Sequence, residues 1–330
     1  MAHRQLGRTG LRVSPLCLGT MTFGIQCDEI ESHAILNHAF DSGITFIDTA
    51  NVYPLGGGLD TVGRTEEIIG SWLPARRDDV VLATKFMGAM GSKPWQRGAS
   101  RKHIFEAVEA SLRRLQTDRI DLYQIHFPDR STPIEETLGA LDDLVHQGKV
   151  GYIGCSNYPA WELARANGKA EALGLNRFDC VQPRYNALFR PFEQDLFELC
   201  AVDDIAVIAY NPIAGGLLSG KHQLDAGPTE GTRFTLGTAA DRYQERYWNK
   251  TEFDAVEVLR PIAAEAGLTM AEMAVGWVMA NPVVTAPIVG ASRPGQLDDA
   301  IRAAATKLPA DVKTAIDNAT AQFRMSDADR

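Results

Sequence analysis

The sequence predicts a (β/α)8 TIM barrel, an α/β architecture with an added N-terminal β-hairpin and extra C-terminal helices. Three observations carry this expectation. Eight short apolar runs alternate with stretches of helical spacing, which implies parallel strands joined by right-handed crossovers. The runs are almost continuously apolar, as in a sheet covered on both faces. The 330 residues contain no linker, low-complexity tract or composition break, so one domain over residues 1–330 is expected. A doubly wound sheet is the rival, but eight evenly repeated units favour closure.

In chain order, Gln5 to Val13 alternates around Gly7 and Gly10 and reads as a hairpin. Leu16 to Thr20 is the first buried strand, and Asp28 to Ser42 has helical spacing through Ile30, Ala34, Ile35 and Ala39. Phe46-Ile47-Asp48 is the second strand, and Thr65 caps a helix running to Trp72. Val80 to Lys85 and Ile120 to His126 are the third and fourth strands, followed by helices over Ser100 to Leu115 and Ile134 to His146, the latter stopped at Gly148. Gly151 to Ser156, Phe178 to Gln182 and Ile205 to Tyr210 continue the strands, with helices over Pro159 to Ala172 and Phe192 to Cys200. Residues 212 to 250 form a long polar excursion. Helices over Thr251 to Ala266 and Thr269 to Ala280 lead to the eighth strand, Ala286 to Gly290. Two more helices follow, Pro294 to Ala305 and Ala310 to Phe323.

Bulk properties exclude several classes of function. A net charge of -9 argues against a nucleic-acid or acidic-membrane surface. No apolar run approaches the roughly 20 residues that cross a bilayer, and the N-terminal residues lack the apolar core of a signal peptide. Cys17, Cys27, Cys155, Cys180 and Cys200 form no C-x-x-C pair, which fits reduced thiols in a cytoplasm and disfavours a metal knuckle. No metal site is expected.

Barrel chemistry sits at the C-terminal ends of strands. Here those ends carry Thr20, Asp48, Lys85, His126, Ser156 with Asn157, Gln182, Tyr210 and Gly290, and Tyr53 lies five residues past Asp48. Ionisable groups at three successive strand mouths cost desolvation energy unless paired, and pairing shifts their pKa values. Lys85 would favour the phenolate of Tyr53 and draw its pKa down from about 10. Asp48 would hold Lys85 charged, and His126 would hydrogen-bond a substrate oxygen. This is a carbonyl-reducing arrangement: hydride arrives at carbon and Tyr53 gives a proton to oxygen. A side chain cannot supply the hydride, so a cofactor is required.

These residues resemble the aldo-keto reductases, over nearly the whole chain. Asp48-Thr49-Ala50 with Tyr53, Ala83-Thr84-Lys85 and Asp121 to His126 are similar to that family's Asp-Tyr-Lys-His tetrad. The resemblance implies NADPH as cofactor, with NADH a weaker donor, and a small carbonyl or alcohol as substrate. It implies that Ser156, Asn157 and Gln182 hold the nicotinamide carboxamide while Tyr210 stacks on its ring, with Thr20, Met21 and Pro212 beside them. Gly216, Leu217, Gly220 and Lys221 would cover the pyrophosphate. Gly290, Ser292, Arg293 and Gln296 would grip the adenosine end and its 2′-phosphate. Phe23, Trp95 and Phe127 are expected to line the substrate mouth, with Trp248 a further candidate. The link from Pro54 to Gly63 is longer than usual in the family, and Ala300 stands where Asn is common. Two rivals remain: a non-catalytic nicotinamide-binding regulatory subunit, and a Schiff-base enzyme using Lys85. Physiological substrate and oligomeric state are not legible.

Overall fold

The computed structural model describes residues 1–324. Eight parallel strands close into a barrel in the order β10-β3-β4-β5-β6-β7-β8-β9. They are β3 (Cys17–Gly19), β4 (Phe46–Asp48), β5 (Val81–Phe86), β6 (Ile120–Ile125), β7 (Val150–Ser156), β8 (Cys180–Gln182), β9 (Ala206–Tyr210) and β10 (Val284–Gly290). The hairpin, β1 (Arg4–Gln5) and β2 (Arg12–Val13), is antiparallel and lies outside the barrel sheet. Its Leu6 and Val13 are fully buried beside Cys17, Phe46, Leu122 and Ile208, so it plugs the N-terminal mouth. One mouth is thereby closed, which leaves the other for ligands.

The helices are α1 (Glu29–Asp41), α2 (Arg64–Trp72), α3 (Arg101–Leu115), α4 (Ile134–His146), α5 (Ala160–Leu173), α6 (Leu196–Val202), α7 (Ala240–Tyr247), α8 (Lys250–Glu265), α9 (Met270–Met279), α10 (Asp298–Ala305) and α11 (Ala310–Ala319). Local chemistry sets their ends. The Asp28 carboxylate accepts from Glu31 N at 2.8 Å to start α1, and Thr269 Oγ1 accepts from Glu272 N at 3.0 Å to start α9. Gly148 and Gly174, at φ of 71° and 66°, end α4 and α5 in the left-handed region. No single helix among the described residues is long and apolar enough to cross a membrane.

Three readings of the sequence need correction. Thr65 does not cap α2: the helix begins at Arg64 behind Gly63, and the Thr65 hydroxyl donates to Phe23 O at 2.8 Å. The sixth helix is shorter than expected, because Pro191–Glu193 forms a separate 3-10 turn. The excursion holds α7, which the sequence hid: its only apolar pattern is Tyr243 and Tyr247, one turn apart and both buried.

Strand pairing positions the site. Gly19 pairs with Asp48, Asp48 with Ala83, Lys85 with Gln124, and Ser156 with Gln182. Parallel registers thus bring the polar strand ends to a common level at the open mouth.

Candidate active site

Asp48 ends β4 with its carboxylate turned into the barrel and almost fully buried. Lys85, on β5 and fully buried, donates to Asp48 Oδ1 at 2.5 Å and to Thr49 O at 2.9 Å. The second carboxylate oxygen accepts from Gln182 Nε2 at 3.0 Å and Gln124 Nε2 at 3.2 Å. Asp48 is therefore held by an ammonium and two amides, which satisfies a charge that burial would otherwise penalise.

Tyr53 lies over this pair, with the Lys85 nitrogen 5.2 Å from its ring centroid. The His126 imidazole meets the phenol ring edge-on at 5.7 Å. His126 follows β6 directly, and its backbone N–H donates to Phe86 O at 3.1 Å. Asp48, Lys85, Tyr53 and His126 thus form one cluster, with Asp48, Tyr53 and His126 exposed to a cavity of about 590 Å³.

The electrostatics divide the cluster. Burial alone would lower the pKa of Lys85, but the Asp48 carboxylate beside it overcomes this and holds the ammonium above its ordinary value. Burial raises the Tyr53 phenol above its ordinary value, and Lys85 pulls against this without overcoming it. The expectation that Lys85 draws the phenol down is corrected here: desolvation is the larger effect, and Tyr53 stays a neutral O–H donor. Burial, then Lys85, then Arg242 push His126 well below its usual range, so its imidazole is neutral.

The remaining strand ends form a second network. Ser156 Oγ donates to Gln182 O at 2.8 Å, and Asn157 Nδ2 donates to His126 O and Ser156 Oγ, both at 3.0 Å. Tyr210 Oη donates to Asn157 Oδ1 at 2.8 Å. Thr20 Oγ1 donates to Asp48 O at 2.9 Å. Thr20, Met21, Ser156, Asn157, Gln182, Tyr210, Pro212, Gly216, Lys221, Gly290, Ser292, Arg293 and Gln296 all line the same cavity. Ser292 is anchored from within its loop, its N–H donating to Gln296 Oε1 at 2.8 Å.

Several expected residues lie elsewhere. Leu217 is fully buried in the core, and Gly220 packs under Arg260, whose Nη2 donates to Gly220 O at 2.6 Å. Neither lines the cavity. Phe23 is fully buried in the apolar layer with Ile68 and Leu18. Trp95 is exposed on its loop beneath Lys93, and Trp248 packs among Phe234, His222 and Phe253. Of the expected substrate aromatics, Phe127 alone faces the cavity, stacked on His126 at 4.9 Å. Val52, Leu55 and Gly88 complete that wall.

The site also holds side chains that sequence reasoning missed: Gln124, buried against Asp48, and three arginines that line the cavity. Gln124 could have been found, since it sits two residues before His126 on the same strand face and pairs in register with Lys85. Arg233, Arg242 and Arg246 lie in the excursion, where no periodicity marks them.

A nicotinamide dinucleotide fits what is present. A cavity of this size matches the roughly 300–1,000 Å³ of ligand sites. Around it both His222 ring nitrogens, Asn211 Nδ2 and one Arg233 terminal nitrogen are buried without partners, as polar atoms kept for a polar ligand would be. Gly216, at φ 109°, leaves room where a Cβ would meet nothing nearer than 3.8 Å.

The Aldo/keto reductase family pattern matches residues 15–321. The "uncharacterized oxidoreductase YrpG" of Bacillus subtilis is 40% identical over 320 residues, covering 94% of each chain. A "probable voltage-gated potassium channel subunit beta" of Arabidopsis thaliana is 37% identical, covering 92% of this chain and 91% of its own. "Norsolorinic acid reductase B" of Aspergillus parasiticus is 34% identical, covering 96% of this chain and 84% of its own. With an eight-stranded parallel barrel and this match along nearly its whole length, the chain belongs to the aldo/keto reductase family.

Proposed function

We propose that this protein reduces an aldehyde or ketone to an alcohol, reversibly, with NADPH as the preferred donor and Tyr53 as the proton donor. The observation that carries this reading is the neutral phenol of Tyr53 facing the cavity beside a buried ammonium. A bound nicotinamide would supply the hydride that the carbonyl carbon takes up. Tyr53 hands its proton to the oxygen, and Lys85 stabilises the phenolate as it forms. Asp48 keeps Lys85 charged and in place, while Gln124 and Gln182 keep Asp48 aimed. Neutral His126 donates a hydrogen bond to the same oxygen and so fixes the carbonyl against Tyr53. Val52, Leu55 and Phe127 keep water from that face.

Preference for NADPH is supported by Ser292 and Arg293, which follow β10 and line the cavity. The Schiff-base rival is disfavoured because Lys85 is held charged, and a nucleophilic lysine needs a lowered pKa. Likeness to the Arabidopsis probable potassium channel subunit beta favours a second reading, a nicotinamide-binding regulatory subunit. Turnover separates the two. Purified protein should oxidise NADPH when a reactive aldehyde is added; binding of NADPH without turnover on a broad panel of aldehydes, ketones and keto-sugars would favour the regulatory role.

A further inference from the structure

We propose that Arg242 and Arg246 form an anion-binding patch at the catalytic end of the cavity, so that the carbonyl substrate carries a carboxylate or phosphate. The inference rests on the proposed carbonyl reduction and names its substrate class. Five cationic side chains line the cavity: Lys221, Arg233, Arg242, Arg246 and Arg293. None of them has an ion-pair partner among the described residues. The lining carboxylates are already engaged, Asp48 by Lys85 and Asp299 by Arg302.

The five cations divide in space. Arg293 follows β10, and a Cβ on Gly290 would lie 3.3 Å from Arg233 Nη2, so these two belong to the β10 side. The phosphates of a dinucleotide give them, with Lys221, a task. Arg242 and Arg246 belong to the other side. Arg242 is close enough to His126 for its charge to act on the imidazole, and Arg246 acts likewise on Tyr210.

Their placement on α7 is held firmly. Asn186 Nδ2 donates to Tyr247 Oη at 3.1 Å and to Asn211 O at 2.9 Å. Tyr243 is buried against Gly215, where a Cβ would come within 2.7 Å of its ring. These anchors fix α7 over the ends of β8 and β9. Arg242 and Arg246 are one turn apart on that helix and share a face. Like charges at this spacing oppose helix formation, and no carboxylate among the described residues pairs with either of them. An anion seated between them would do so, and its carbonyl end would lie against apolar Val52, Leu55 and Phe127, within reach of Tyr53 and His126. Arg242 is exposed and Arg246 half-buried, so the attraction should weaken with salt.

The test compares kcat/KM, with NADPH saturating, for two matched pairs: 4-carboxybenzaldehyde against its methyl ester, and glyceraldehyde 3-phosphate against glyceraldehyde. The native protein should prefer at least one charged member about tenfold or more, and which pair shows it separates carboxylate from phosphate recognition. Arg242→Gln and Arg246→Gln should each cut the charged-to-neutral ratio severalfold, and Arg246→Lys should restore part of it. A second readout is independent of turnover: NADP⁺-loaded protein should bind terephthalate, but not its dimethyl ester, in calorimetry, and lose that binding in the double Gln variant. A native ratio near one in both pairs, or a ratio unchanged by both substitutions, overturns the inference while leaving carbonyl reduction standing. Failure to turn over any aldehyde, with charge-dependent terephthalate binding intact, instead overturns the reduction.

Discussion

Replacing Asp48 by Asn removes the counter-charge of a fully buried ammonium. The Lys85 nitrogen sits 2.5 Å from Asp48 Oδ1. At the effective dielectric of about 20 that suits such sites, the gross attraction is about 7 kcal/mol. Much of it is offset by desolvation, and Thr49 O at 2.9 Å remains as an acceptor. Breaking a buried pair from one side costs about 3–5 kcal/mol in practice. The variant also presents one amide to donors that now approach both carboxylate oxygens, Lys85 from one side and Gln124 and Gln182 from the other. We expect a loss of about 4 kcal/mol in unfolding free energy near neutral pH, measured by urea unfolding with an unchanged slope.

The pH dependence gives the sign. In the native protein the pKa of Lys85 is raised, so its stabilisation is fully present below its ordinary value of 10.5 and is lost as pH climbs through the raised value. In Asp48→Asn, the main influence opposing burial is gone, and burial lowers that pKa. The unfolded chain then holds more protons than the folded one, and the stability of the variant rises with pH. The gap between variant and native protein should therefore narrow from about pH 7 to about pH 10. A loss below about 1 kcal/mol, or a gap independent of pH, would refute the view that Asp48 keeps a buried charge in place.

Two further outcomes follow from the same geometry. Arg293→Ala should raise KM for NADPH about tenfold or more while moving KM for NADH little; equal effects on both would place 2′-phosphate recognition elsewhere. His126 should show no imidazole titration between about pH 5.5 and 7.5 by NMR, because burial and two cations hold it neutral. A midpoint near its ordinary value would mean that water reaches the ring.

Much of the fold was legible because its strands are apolar runs bounded by polar mouths, a signal that survives without tertiary information. The mouths themselves pointed to Asp48, Lys85 and His126, since ionisable residues at strand ends have no packing role to explain them. What stayed hidden depends on three-dimensional contact. Phe23 and Trp95 sit in loops that look alike in sequence, yet one loop folds inward onto Thr65 and the other outward to solvent. Leu217 and Gly220 share a stretch with Gly216 and Lys221 but face away from the cavity. The polar helix α7 was invisible because it is held by Tyr243 and Tyr247 reaching Asn211 and Asn186, partners more than 30 residues away, and not by its own propensity. The phenol was misjudged for a related reason: the charge of Lys85 can be read from sequence, whereas the depth at which Tyr53 is buried cannot.

Tyr53→Phe in a single-turnover reaction with NADPH and a reactive aldehyde tests proton donation most directly. Phe keeps the ring packing against His126 and Lys85 and removes only the proton. NADPH should still quench tryptophan fluorescence as it does in the native protein, and the rate of NADPH oxidation should fall by about a thousandfold. A rate within about threefold of native, with binding intact, would contradict the assignment of Tyr53 as the proton donor.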